Sequence, residues 1–176
     1  TIGTACGGDV TVVLEHIRPR PTLLVVGSGQ VGRPLLELAR TLGYQTAVVD
    51  IDASRGGEAV LDPQAVTETT YAVIMTEDHV TDEQALRTLL PTPAPYVGVI
   101  GSLRKIARML ANLSDATYPQ ERLACVRAPL GLDLGGRQPA EIALAVLAEI
   151  ELVRHGGSGR PRSEGLRAGI MDEVVE

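Results

Sequence analysis

Phenylalanine and tryptophan are absent from this 176-residue chain, and tyrosine occurs four times. A core with so few rings has to be aliphatic, and the aromatic platforms on which nucleic-acid bases stack are nearly missing. Basic charge is scarce too: Lys105 is the only lysine, the sixteen Lys and Arg face 22 acids, and the net charge is −6. A phosphate-backbone partner needs a basic surface, so no nucleic acid is expected. No apolar run approaches the roughly 20 residues that span a bilayer, and no signal peptide is visible, so no membrane is expected either. Cysteine is limited to Cys6 and Cys125, in no C-x-x-C pair. Two thiols cannot staple a domain of this length, which fits a reducing, cytoplasmic setting. H-x-x-x-H and E-x-x-H spacings are also lacking, so no metal site is expected. Without G-x-S-x-G there is no nucleophile elbow. The chain even lacks an initiating methionine, opening Thr1-Ile2-Gly3, from which the removal of an upstream piece is expected.

What is present is an ordinary globular balance of 44% apolar and 22% charged residues. Residues 1–22 read as the tail end of a preceding domain plus a linker. A Gly-rich turn leads there into a strand-like run, Val10 to Leu14, which "RPRP" at 18–21 breaks. Residues 23–156 alternate strand and helix. The continuous apolar run Leu23–Val26 suits a strand buried on both faces, and Gln45–Val49, Tyr71–Met75 and Tyr96–Ile100 read as further strands, with Ala59-Val60-Leu61 as a short extra one. Helices are expected from about Val31 to Leu42, after Met75 with Thr81-x-x-Gln84 as capping box, and after Ile100 with Ile106, Met109, Leu110 and Leu113 inward. A last helix should run from Pro139 to about Arg154 with Ile142, Val146, Ile150 and Val153 inward. Residues 157–176 read as a flexible tail. This rhythm predicts an α/β fold, a doubly wound, mostly parallel Rossmann-like sheet, whose ligand crevice lies at the strands' carboxyl ends.

The motifs gather at those ends. Gly27-Ser28-Gly29-Gln30-Val31-Gly32 is a G-x-G-x-x-G between a strand and a helix, the context in which that pattern cradles a pyrophosphate. Asp50 closes the second strand, where a carboxylate accepts a ribose 2′-hydroxyl and repels a 2′-phosphate. Gly101-Ser102-Leu103-Arg104-Lys105 opens another helix with free amides, a hydroxyl and two cations, suited to phosphate or carboxylate. In Thr76-Glu77-Asp78-His79, a helix cap explains Asp78 but leaves His79 beside it unexplained. Cys6, between Ala5 and two glycines, is either a buried small side chain or a reactive thiol. Gly131-Leu132-Asp133-Leu134-Gly135-Gly136 reads as a turn with an Asp cap.

"VVGSGQVGRPLLELARTLGYQTAVVD", "VIMTEDHVTDEQALRTLL", "YVGVIGSLRKIARML" and "APLGLDLGGRQPAEIALAVLAEIELVRHG" together resemble the XdhC/CoxI family, maturation factors for xanthine dehydrogenase, carbon monoxide dehydrogenase and related molybdenum hydroxylases. "CGGDVTVVLE" resembles the end of that family's N-terminal domain. The resemblance implies a protein that binds the molybdenum cofactor, as molybdopterin or its dinucleotide form. It implies delivery to an apo molybdenum hydroxylase, coupled to sulfuration by a cysteine desulfurase. It further implies that Gly27, Gly29 and Gly32 form the nucleotide-type turn, and that Asp78, His79, Gly101, Ser102, Arg104, Lys105 and Asp133 line the crevice. Cys6 is then the candidate thiol, with Asp78 and His79 as the other candidates for a chemical role. Many members carry His at the positions of Gln30 and Glu77. An NAD-dependent oxidoreductase and a nucleotide-sensing module are the alternatives, NAD the alternative cofactor, and a homodimer a further expected assembly.

Overall fold

The computed structural model describes residues 12, 13, 15, 19–27, 29–50, 60–113 and 118–164. Five strands, β1 (Thr22–Val26), β2 (Gln45–Val49), β3 (Thr70–Ile74), β4 (Tyr96–Val99) and β5 (Val126–Arg127), form one sheet in the order β2-β1-β3-β4-β5. Every pairing is parallel. The helices are α1 (Gly32–Thr41), α2 (His79–Leu89), α3 (Leu103–Leu113), α4 (Gln120–Leu123) and α5 (Pro139–His155).

Successive strand side chains point to opposite faces, and the aliphatic runs supply both. Leu24, Val26, Ala72, Ile74, Val97 and Val99 turn one way, against Leu86 and Leu89 of α2 and Ile106, Met109 and Leu113 of α3. Leu23, Val25, Val73 and Tyr96 turn the other way, against Leu35 of α1 and Val146, Leu147 and Ile150 of α5. The sheet is therefore doubly wound. Each fully buried aliphatic side chain contributes roughly 1.5–3 kcal/mol relative to exposure. Ile142 and Val153 pack at the margin of the second cluster, as their helical spacing predicts.

Four expectations are corrected. Val60 and Leu61 form no strand, because Asp62 accepts from the Gln64 amide and caps a 3-10 turn at Pro63–Ala65. Val12 and Val13, within the strand-like run, are exposed and in no strand. Thr81 does not open a capping box. The N-cap of α2 is Asp78, and the box belongs to α5, where Gln138 and Glu141 satisfy each other's backbone amides. Leu110 is 40% exposed, one step outside the stripe of Ile106, Met109 and Leu113.

Candidate functional site

All strands being parallel, the bends after β1, β3 and β4 share one rim, and β3 stands between the other two. Ladder-like bonds extend past the strands: Gly27 N to Val49 O at 2.7 Å, Met75 N to Val26 O at 2.8 Å and Ile100 N to Ile74 O at 2.9 Å. They fix the first residues of each bend to the sheet.

The β3–α2 bend carries the most polar chemistry. Asp78 Oδ2 accepts from the Thr81 amide and the Thr81 hydroxyl, both at 3.0 Å. The Thr81 amide, then its hydroxyl, hold the Asp78 carboxyl below the usual carboxylate range. A carboxyl depressed in the folded state adds stability above its ordinary pKa of about 4 and loses it as pH falls through the folded value. Asp78→Asn keeps the cap but not the titration. In urea titrations from pH 5 to pH 2 it should lose stability less steeply than the parent, and equal slopes would contradict the account. His79 follows at the first helical position, its Nδ1 3.4 Å from Asp78 Oδ1 and its side chain 62% exposed.

Behind this bend lies Asp82, fully buried. Its Oδ1 accepts from the Thr76 amide at 3.0 Å and the Thr76 hydroxyl at 2.5 Å, and its Oδ2 accepts from Lys105 Nζ. The single lysine of the chain is thus engaged with a buried carboxylate, bracing the start of α3 against the β3–α2 bend.

Two clefts open beside α2. The first, of about 790 Å³, runs between α2 and α3. His79, Ser102, Arg104, Lys105 and Arg108 line it, and it reaches down to Glu83, Arg87 and Asn112. That lower end is closed by a network: Arg87 donates to Glu83 Oε1 at 2.9 Å and to the Asn112 carbonyl at 2.7 Å, and Asn112 donates to Glu83 Oε2 at 2.9 Å. The Asn112 amide and Arg87 hold Glu83 below the usual range. Arg104 and Arg108, one helical turn apart and both exposed, form no ion pair or hydrogen bond among the described residues. The second cleft, of about 640 Å³, is bounded by Gly27, Asp50, Leu61, Met75, Asp78 and Thr88 among others. Glu77 and Gln84 line both clefts.

The sequence-derived candidates therefore separate. His79, Ser102, Arg104 and Lys105 come together in the first cleft, while Gly27, Asp50 and Asp78 belong to the second. Gly101 forms the bend beside the first, and a Cβ added there would lie 3.1 Å from Lys105 Cδ. Gln30 is exposed and Gly32 buried at the start of α1. A Cβ on Gly29 would meet nothing within 4 Å. Asp133 lines neither cleft, its Oδ1 accepting from the Gly135 amide at 3.2 Å. Cys6 and Ser28 lie outside the described residues. Among the described residues, no three His, Cys, Asp or Glu side chains gather to hold a metal ion, and no helix is long and apolar enough to cross a membrane. Sequence reasoning missed Asp82 and Arg108. Arg108 was findable at four residues from Arg104, whereas an acid in the first turn of a helix gives no sign that it is buried.

Residues 23–150 match the XdhC Rossmann domain family. The chain is 29% identical over 174 residues to the uncharacterized protein YqeB of Escherichia coli (strain K12), covering 90% of this chain and 32% of that protein. It is 26% identical over 152 residues to the molybdenum cofactor insertion chaperone PaoD of the same organism, covering 86% and 46%. With a probable xanthine dehydrogenase subunit of Bacillus subtilis (strain 168) it shares 25% identity over 152 residues, covering 78% and 44%. The chain spans less than half the length of each of these relatives. A crystal structure described as a xanthine dehydrogenase from Bacillus halodurans is similar in fold, with a TM-score of 0.66 at 23% identity, covering 78% of this chain and 45% of that one.

Proposed function

The chain belongs to the XdhC family, and from that premise we propose that it binds the molybdenum cofactor and delivers it to an apo molybdenum hydroxylase of the xanthine or carbon monoxide dehydrogenase type. Delivery is coupled to sulfuration of the cargo, with a cysteine desulfurase as sulfur donor. One observation carries the reading at residue level: the cationic cleft between α2 and α3, with Arg104 and Arg108 exposed and uncommitted among the described residues. A pterin bearing a phosphate monoester needs such a place. Two guanidinium groups on successive turns, the Ser102 hydroxyl and the His79 imidazole are donors for the phosphate, and the amino end of α3 adds a favourable dipole. Lys105 lines the same cleft, but its ammonium is held by Asp82. The relatives' names agree with this role, PaoD as an insertion chaperone and the Bacillus subtilis protein as a probable xanthine dehydrogenase subunit.

These residues supply binding, and release to a client follows if the client offers more donors than this open cleft. A second reading, an NAD-dependent oxidoreductase or nucleotide-sensing module, rests on the glycine turn with Asp50 at the neighbouring strand end. It lacks a described general acid other than His79, which lies on the far side of α2 from Asp50.

The test is the molybdenum and pterin content of the full-length protein, co-expressed with cofactor synthesis and purified anaerobically. Arg104→Ala with Arg108→Ala should lower occupancy roughly tenfold or more, since a charge-assisted hydrogen bond is worth about 1.5–3 kcal/mol. The loss should be greater in low salt than in high salt. Parent protein carrying neither molybdenum nor pterin would refute the reading.

A further inference from the structure

The cleft between α2 and α3 has two ends of different chemistry, and a phosphate occupies only one of them. Arg104 and Arg108 stand at the upper end. Glu83, Gln84 and Arg87 of α2 and Asn112 of α3 form the lower end. Asn112 follows Arg104 by roughly 12 Å along the helix axis, at ~1.5 Å per residue.

At the lower end charge cancels. Arg87 donates to Glu83 Oε1 through Nε at 3.1 Å and through Nη2 at 2.9 Å, which fills that oxygen. Glu83 Oε2 accepts from Asn112 Nδ2 at 2.9 Å and from nothing else among the described residues, so it has room for a second donor. Because Asn112 turns its amide nitrogen to the carboxylate, its Oδ1 points elsewhere and accepts nothing among the described residues. The Gln84 side-chain amide also has no hydrogen bond among the described residues. The Asn112 amide and Arg87 hold Glu83 below the usual carboxylate range, so it stays an acceptor at neutral pH.

Two open acceptors and one open amide therefore line a place without net charge. An anion gains little there, whereas a flat heterocycle with two adjacent donors and a carbonyl matches it. The 2-amino-4-oxo pyrimidine edge of a pterin has that pattern. Val80 and Met109 line the same cleft and offer aliphatic and thioether contact to the ring faces. We propose that the lower end is the seat of the pterin head group. Glu83 Oε2 accepts from the 2-amino group, Asn112 Oδ1 accepts from the ring N–H, and the Gln84 amide donates to the 4-oxo group. The inference rests on the cargo reading and deepens it, since that reading assigned residues to the phosphate alone. At about 790 Å³ the cleft lies within the roughly 300–1,000 Å³ range of small-molecule sites. A guanine base presents the same edge, so the test includes it.

The test is calorimetric titration of the full-length protein with neopterin 3′-phosphate and with the matching lumazine phosphate, in which an oxo group replaces the 2-amino group. The pterin should bind at least tenfold more tightly, because the exchange sets an oxygen against the Glu83 carboxylate. Glu83→Gln should weaken the pterin at least tenfold and narrow the gap, since its amide can donate to the 2-oxo group. Lumazine binding that persists in this variant shows that it is folded. Asn112→Ala, at an exposed position, should weaken both ligands about threefold or more, because both keep the ring N–H. Arg104→Ala with Arg108→Ala should weaken both alike and leave their ratio unchanged. GMP should bind more weakly than the pterin phosphate; tighter binding of GMP would overturn the assignment in favour of a guanine base. Equal affinity for pterin and lumazine, or a gap untouched by Glu83→Gln, would overturn it too, while protein that carries molybdenum and pterin keeps the cargo reading. If neither phosphate binds, the inference falls, and the molybdenum and pterin content of the purified protein decides the cargo reading separately.

Discussion

Gly27→Ala is expected to destabilise the protein by about 2–4 kcal/mol, read as a lowered midpoint in urea at unchanged slope. A Cβ at this position would lie 2.8 Å from the Met75 carbonyl oxygen and 2.8 Å from Thr76 Cα, with φ at +81°. Left-handed backbone costs an L-residue roughly 1–2 kcal/mol, and forcing an extra methyl into a packed site roughly 1–3 kcal/mol. The clashing atoms are backbone, pinned by the Met75 amide's bond to Val26, so a rotamer change cannot relieve them. Gly29→Ala is the control. Nothing lies within 4 Å of its added Cβ, and the change should fall within roughly 0.5 kcal/mol. Equal effects at the two glycines would mean that the β1 turn does not touch the β3–α2 bend.

The same pair shows how far the sequence can be read. As a motif, Gly27 is expected to make the tight turn and Gly29 to let backbone approach a pyrophosphate. In three dimensions one is needed by the protein's own backbone and the other faces open space. The strands were legible because a sheet covered on both faces demands unbroken apolar runs, and Leu23–Val26 and Tyr71–Ile74 are such runs. Val126–Arg127 was not legible, since two residues carry no period. The misread Val60 and Leu61 precede Asp62-Pro63, a pair whose turn chemistry outweighs the β-propensity of a short apolar run. At α2 both Asp78 and Thr81 are good caps by type. The choice fell to Asp78 because the helix begins at His79, directly after it. The family resemblance, carried by scattered rim residues, correctly led to the XdhC Rossmann domain. The motifs could not reveal that the first turns of α2 part those residues into a cationic cleft and an acidic one. Partition by a helix is a property of the packed sheet, and no local pattern encodes it.

Lys105, read from the sequence as a cation suited to a phosphate or carboxylate ligand, is where that packing matters most. Asp82→Ala should cost about 3–5 kcal/mol, the usual result of removing one partner from a buried pair. It would strip the acceptor from Lys105 Nζ and from both the amide and hydroxyl of Thr76. At present no described buried side-chain nitrogen or oxygen lacks a partner. Lys105→Met should cost a similar amount, because the fully buried carboxylate would keep only Thr76. The double variant Asp82→Ala with Lys105→Met should recover part of the loss, since charge and countercharge leave together, though the Thr76 amide would still lack its acceptor. A coupling energy of at least about 1 kcal/mol in this cycle is the expected reading from urea denaturation. Additive losses would show that the two side chains do not brace each other. The pair also joins the walls of both clefts, Thr76 lining one and Lys105 the other. Its loss should therefore weaken the proposed cofactor loading, as should substitutions at Arg104 and Arg108 of the cationic cleft.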